Sequence, residues 1–379
     1  MGRLKGEKMF NSYIWSLPSR VFHWLFVALM LLAFLTDDDK ILNYHALIGY
    51  GVLILLIFRF FWGYIGPKYS RFKDFPLALR DVKEFALNIF SSKQKYIGHN
   101  PIASYVMIGI FVVVFLTIIT GILAFGVQEA KGLLSSLNST FFKKMELFEE
   151  VHEFFSNLLI VLIAAHLLGV FSDRVLHPAH KTLSSIFNGL KSTKEDFSIK
   201  LNIFQKLFAL IFLALFVAFF VFNISTKNNP LVASKHTTVD YKMQNALFVK
   251  ECASCHTLYP PHILPSASWV TMLGDLENHF GDDASLDEAQ NRNILDFLVK
   301  NSAETSTQKV SVKVLDSIKN KDIIAITQSD FWKKKHKDIP KKVFAHRDVK
   351  SKANCKACHS DIEKGLIEND KIKDISAFM

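Results

Sequence analysis

Charged side chains are nearly missing from five long stretches of this 379-residue chain, and cysteine is confined to four positions in its last third. Apolar runs near the ~20 residues that cross ~30 Å of hydrocarbon argue against a wholly soluble protein. The runs are Val21–Leu35 with its flanks, His45–Trp62, Ile102–Phe125, Phe154–Phe171 and Leu207–Phe222. A buried core helix is the alternative for any one run, but five in one chain favour spans. No small-residue cleavage site follows "LLAFLTDDDK", so the first run is expected to remain as a span and not be removed as a signal peptide. Most of the 35 phenylalanines sit in these runs.

What is there falls into two physical classes. Apolar residues concentrate before about Asn223 and charged residues after it. Lys and Arg are unevenly divided among the loops, seventeen on one side of the spans and four (Lys40, Lys131, Lys143, Lys144) on the other. By the positive-inside rule the N-terminus is cytoplasmic, and five spans put everything after Thr226 on the far side, the periplasm of a bacterium with the spans in its inner membrane. Much of the formal charge of +10 is thus a topology signal, and nucleic acid is not an expected partner. The expected organisation is a membrane domain over 1–200, a fifth transmembrane helix over 201–226, a linker over 227–239 and two lobes over 240–305 and 306–379.

The four cysteines form two copies of one pattern, "CASCH" (Cys252, Cys255, His256) and "CKACH" (Cys355, Cys358, His359). A thioredoxin-like dithiol needs a βαβ context, which the sequence lacks. A four-cysteine zinc site would have to join pairs about a hundred residues apart, and it gives no reason for the two histidines. Covalent haem needs all five positions of each copy. Two thiols one helical turn apart add to the vinyl groups, and the adjoining imidazole becomes an axial iron ligand. Each lobe is too short for a large core, and a haem supplies the missing stabilisation. The sixth ligand is open on sequence grounds, among Met243, His262, Met272 and His279 for the first lobe and His336 and His346 for the second.

Ionisable residues inside spans point to function. His23 lies near the cytoplasmic end of the first span and His45 at the periplasmic start of the second. The fourth run carries His152 and His166, whose 14-residue spacing is close to four helical turns, ~21 Å along one face. His152 therefore lies at the depth of His45, and His166 at the depth of His23. Two facing pairs at two depths suit two bis-histidine haems b stacked across the bilayer, whereas an interhelical hydrogen bond would explain one such histidine alone. His99 is expected to be an end cap or headgroup contact, His177 and His180 to be solvated, and Arg59 to snorkel, with a haem propionate partner as the sharper alternative.

Residues 13–190 resemble the bacterial cytochrome b561 family, which includes the b subunits of nickel-iron hydrogenases. The resemblance rests on "SLPSRVFHWLF", "NYHALIGYGVLILLIFRFFWG", "GHNPIASYVM" and "VHEFFSNLLIVLIAAHLLGV". It implies His23 with His166 on one haem b and His45 with His152 on the other. The tail, 240–378, resembles the small dihaem cytochrome c family through "ECASCHTLYPPHILPSASWVTML", "HFGDDASLDEA", "FWKKKHKDIP" and "ANCKACHSD". That resemblance favours His279 and His336 as sixth ligands, giving bis-histidine iron of lower potential than Met/His ligation. The implied fold is all-α: a four-helix transmembrane haem b bundle, a fifth transmembrane helix and a mainly helical two-lobe cytochrome c tail. Fusion of the two parts is the departure from both patterns.

The function expected from these features is membrane electron transfer, from quinol through two haems b and two haems c to a periplasmic redox partner, with a possible label of quinol:acceptor oxidoreductase. A membrane subunit of a hydrogenase or other periplasmic oxidoreductase, passing electrons inward to quinone, is the alternative. A haem-based sensor is disfavoured because no signalling domain follows either end. The lobes also differ in charge: 240–305 is net −6 and 306–379 net +7, with Lys333, Lys334 and Lys335 beside His336. The basic lobe is either a docking face for an acidic acceptor or simply the partner of the acidic lobe. A pyridine haemochrome assay of the purified protein is expected to give equal haem b and haem c; haem c alone would contradict the reading of the membrane histidines.

Overall fold

The computed structural model describes residues 9–90, 95–143, 147–226, 229–318 and 322–379. Arg3, Lys5, Lys8, Lys93 and Lys144, which carry part of the charge bias, and the first two residues of the expected linker lie outside the described residues. The fold is all-α apart from one small sheet. Among the described residues five helices are long and apolar enough to cross a membrane: Leu17–Leu35, Leu42–Ile65, Pro101–Val127, Leu147–Leu176 and Ile203–Ser225. Each extends beyond its apolar run, because a helix ends at its caps and not where hydropathy falls. The fifth opens with a capping box in which Asn202 and Gln205 satisfy each other's backbone N–H groups.

The chain forms two compact units, residues 1–122 with 147–229 and residues 123–146 with 230–379. In the first, Phe22, Leu55, Phe58, Trp62, Val114 and Leu159 from four spans make the core, and Phe216 of the fifth joins it. Gly51 lets the fifth span approach the second, since a Cβ there would lie 2.4 Å from the Phe220 ring. Gln205 also donates to the Ile65 carbonyl at 2.7 Å. Outward-facing Leu35, Leu168 and Val221 stay exposed, as a lipid-facing surface requires. Strand β1 (Phe10–Tyr13) pairs antiparallel with β2 (Leu190–Thr193), tying the segment before the first span to the segment after the fourth. Ser12 and Thr193 hydroxyls meet at 2.6 Å in the interior of this pair.

In the second unit, short capped helices surround a main apolar core, and Val343, Val349, Ala357 and Phe378 form a smaller cluster in the second lobe. Ala246–Cys252, Ser266–Leu273 and Glu288–Lys300 build the first lobe, and Lys309–Ile318 and Asp330–Lys335 the second. Asn245, Asp287 and Ser329 cap three of them. Phe248, Trp269, Ile294 and Leu298 pack with Ile323, and Ile318, Ile326 and Ile367 close over them, so both lobes share buried apolar surface. Residues 130–132 also belong here. Lys235 N–H donates to the Ala130 carbonyl at 2.7 Å and Gly132 N–H to the Ala233 carbonyl at 2.9 Å. Gly132 has φ +71°, and a Cβ there would lie 2.8 Å from the Leu231 carbonyl oxygen. Ion pairs Lys131–Glu368 (2.7 Å) and Lys309–Glu129 reinforce the seam.

Candidate functional site

An imidazole that binds a metal through one nitrogen usually donates its other N–H to a carbonyl or carboxylate, which fixes tautomer and ring direction. His45, at the start of the second span, places Nδ1 3.1 Å from the Ala33 carbonyl. His152, in the fourth, places Nδ1 2.9 Å from the Thr117 carbonyl. With Nδ1 the donor, each Nε2 keeps its lone pair. The two ring centroids are 6.1 Å apart with planes at 86°. Two imidazoles bound on opposite sides of one metal at ~2.0 Å per bond have centroids ~6 Å apart. This pair fits a shared metal.

Gly121 of the third span makes the His152 position available. A Cβ there would lie 2.9 Å from His152 Cε1 and 3.1 Å from Nδ1. Sequence reading passed over this glycine, because nothing local marks it. At the other depth, His23 Nδ1 is buried with no hydrogen-bond partner among the described residues.

The tail repeats the arrangement twice. His256 Nδ1 donates to the Thr257 carbonyl at 2.7 Å, and its ring lies 6.1 Å from that of His279 at 23°. His336 Nδ1 donates to the Trp332 carbonyl at 2.9 Å, with its ring 6.2 Å from that of His359 at 61°. Burial lowers the pKa of His279 and His336 and takes that of His359 down to about 4, which favours the neutral imidazole that a metal can bind. Burial also pushes the Cys252 and Cys355 thiols up to about 11, which suits apolar pockets for a macrocycle and not reactive thiolates.

Of the other sixth-ligand candidates, Met272 packs against the main apolar core of the tail, and the rest have surroundings of their own. His262 is buried between the Gly365 carbonyl (3.1 Å) and the Ser311 hydroxyl (3.2 Å), joining the lobes. Met243 is 84% exposed. His346 Nδ1 accepts the Asp348 N–H at 3.2 Å. The two CxxCH motifs abut: Thr257, next to His256, bonds Asn354, next to Cys355, at 3.3 Å. Tyr259 packs on His256 at 5.1 Å and donates its hydroxyl to the Ala353 carbonyl.

Three expectations about the membrane half need correction. Arg59 does not snorkel; it is 7% exposed, surrounded by the Phe72, Phe75 and Phe111 rings at 4.8–5.8 Å. Desolvating a guanidinium costs several kcal/mol, and each cation–π contact returns only about 0.5–2 kcal/mol. His99 is not a headgroup contact, since its ring lies between Trp15 (4.8 Å) and Phe75 (4.9 Å) with Nδ1 buried; Asn100 makes the cap instead. His177 is largely buried and bonds Asp173 at 3.2 Å, with His180 stacked on it at 5.1 Å.

Comparison with known proteins agrees with this division. The family model described as prokaryotic cytochrome b561 matches residues 14–189, and that described as dihaem cytochrome c matches 248–367. The chain joins a prokaryotic cytochrome b561 segment to a dihaem cytochrome c segment. It is a membrane electron-transfer cytochrome. A relative described as the probable Ni/Fe-hydrogenase 1 B-type cytochrome subunit of Escherichia coli K12 is 27% identical over 144 residues, 31% of this chain and 61% of that one. The chain thus spans about three fifths of the curated relatives it matches. Among solved structures, the dihaem cytochrome c of Shewanella baltica OS155 is 34% identical, with 36% of this chain and 95% of that chain covered and a TM-score of 0.29. A dihaem cytochrome c from Rhodobacter sphaeroides is also 34% identical, with 34% and 99% covered and a TM-score of 0.30.

Replacing Gly121 with valine is expected to push the His152 ring aside and remove one haem b from the cytochrome, the same one that His45→Ala removes. Dithionite-reduced spectra check this; a Gly121→Val protein with full haem b content would show that the close approach is not needed.

Proposed function

We propose that this cytochrome carries electrons from quinol in the membrane to a periplasmic redox partner. In this reading two haems b lie in the bundle, on His45 with His152 and His23 with His166. Two haems c lie in the tail, attached to Cys252 and Cys255 and to Cys355 and Cys358, with His256 and His279 on one iron and His359 and His336 on the other. Haem iron supplies one-electron redox chemistry; the chain supplies the ligands, their spacing and the apolar surroundings. The observation that carries the reading is the recurrence of one ligand geometry, facing imidazoles ~6 Å apart, in both halves of a single chain.

What the residues do follows from that geometry. Backbone carbonyls of Ala33, Thr117, Thr257 and Trp332 hold imidazoles in the ligating tautomer. Rigid bis-imidazole sites leave iron no open position, which favours electron transfer over substrate chemistry. The abutting CxxCH motifs keep the two tail sites adjacent. The Lys/Arg bias supports an N-terminus in the cytoplasm and a tail in the periplasm.

The relative described as a hydrogenase cytochrome subunit favours a second reading, in which a periplasmic oxidoreductase delivers electrons inward to quinone. Anaerobic mixing of the purified protein with a reduced quinol analogue separates the two. The outward reading expects the haem b bands to reduce first and the haem c bands to follow. Haems that ignore quinol, yet pass electrons from a reduced tail to added quinone, would contradict it and support inward flow.

A further inference from the structure

The first unit buries two cations that the ligand geometry does not use. Lys191, on β2, is 4% exposed and gives two of its three donors to the Ile97 and Gly98 carbonyls at 3.0 and 3.1 Å. Arg59 is 7% exposed, and its Nη1 has no partner among the described residues. Both belong to one cluster. Lys191 lies over the Trp15 ring (5.7 Å), Trp15 packs on His99, His99 on Phe75, and Arg59 over Phe75. Arg59 also lies over Phe111 (5.2 Å), whose ring is 6.4 Å from that of Phe22, the residue before His23. Phe72, which backs Arg59, reaches it over Gly63, where a Cβ would lie 2.1 Å from the ring.

Among the described residues no carboxylate pairs with Arg59 or Lys191 at this site. Asp173 acts on Lys191 at a distance, and its Oδ1 bonds His177. Burial pushes the Lys191 amine down to about 8, so it is still mostly charged at pH 7, while burial takes His99 down to about 3 and leaves it neutral. Two positive charges in an aromatic setting, with free N–H donors and next to an imidazole pair, are built to receive an anion.

Resting on the four-haem reading, we propose that Arg59 and Lys191 form the carboxylate clamp for the propionates of the haem held by His23 and His166. The guanidinium and the ammonium meet the two carboxylates, and His99 with Trp15, Phe75 and Phe72 walls the site from water. The clamp offsets the cost of carrying haem carboxylates into the bundle and sets that haem's potential. A positive charge beside the propionates disfavours ferric iron, so its removal lowers the midpoint.

The test is redox potentiometry of the full-length, haem-loaded protein with Arg59→Gln and Lys191→Met, alongside His166→Ala to identify the haem concerned. In either variant that haem should titrate at lower potential and its propionate-bending Raman bands should shift, with the other three haems unchanged. Arg59→Lys should restore part of the shift. If Arg59→Gln does not assemble, Lys191→Met, outside the spans, carries the test. Loaded variants with unchanged potential and bands would overturn the clamp, as would a shift confined to the haem of His45 and His152. Loss of co-purified phospholipid with unchanged haem would overturn it in favour of a lipid phosphate. If His166→Ala removes no haem b from the protein, the four-haem reading and the clamp fail together.

Discussion

An imidazole can serve a metal through only one nitrogen, so the proposed redox sites depend on where the other nitrogen goes. In this cytochrome it goes to backbone carbonyl oxygen at four histidines: His45, His152, His256 and His336. Each bond costs the fold little, because the carbonyl lies in an adjacent helix (Ala33, Thr117), in the next residue (Thr257) or one helical turn back (Trp332). Its effect is large, because a ring free to rotate would present the wrong tautomer half the time. Helix geometry is therefore the constraint that matters most: a close third span for His152, and a short helix ending at His336.

The two halves solve the problem of burying polar groups differently. In the membrane unit the cost of imidazoles and cations is met by backbone carbonyls, aromatic rings and, as proposed, by haem. In the tail, the main core draws on both lobes, the second lobe adds a smaller cluster of its own, and His262 satisfies polar groups at their junction. The segment 130–132, between the third and fourth spans, pairs with 233–235 of the tail unit. The fused protein thereby gains a seam that separate b and c chains could not have through covalent continuity.

Much of this was legible in the sequence because the signals are local. Apolar runs mark all five spans, and CxxCH marks both tail sites. The facing of His45 and His152 follows from helical periodicity, and the structure brings those two rings together. What could not be read depends on partners far along the chain. The four-residue strands of the β1–β2 pair are too short to announce themselves and lie about 180 residues apart. Gly121 looks like any small residue in a span until His152 is seen against it. Arg59 reads as a snorkelling cation because only the packed structure shows the three phenylalanine rings that enclose it. Lys191 counted toward topology, yet it lies in the interior.

The central claim is that one chain holds four six-coordinate iron sites with two imidazoles each. Low-temperature EPR combined with near-infrared magnetic circular dichroism of the fully oxidised, full-length cytochrome tests it most directly. The account predicts low-spin iron throughout. The near-perpendicular His45–His152 planes should give a strongly anisotropic signal, and the nearly parallel His256–His279 planes an ordinary rhombic one. A thioether-to-iron charge-transfer band, a substantial high-spin fraction, or low-spin signal equivalent to only two irons would contradict it.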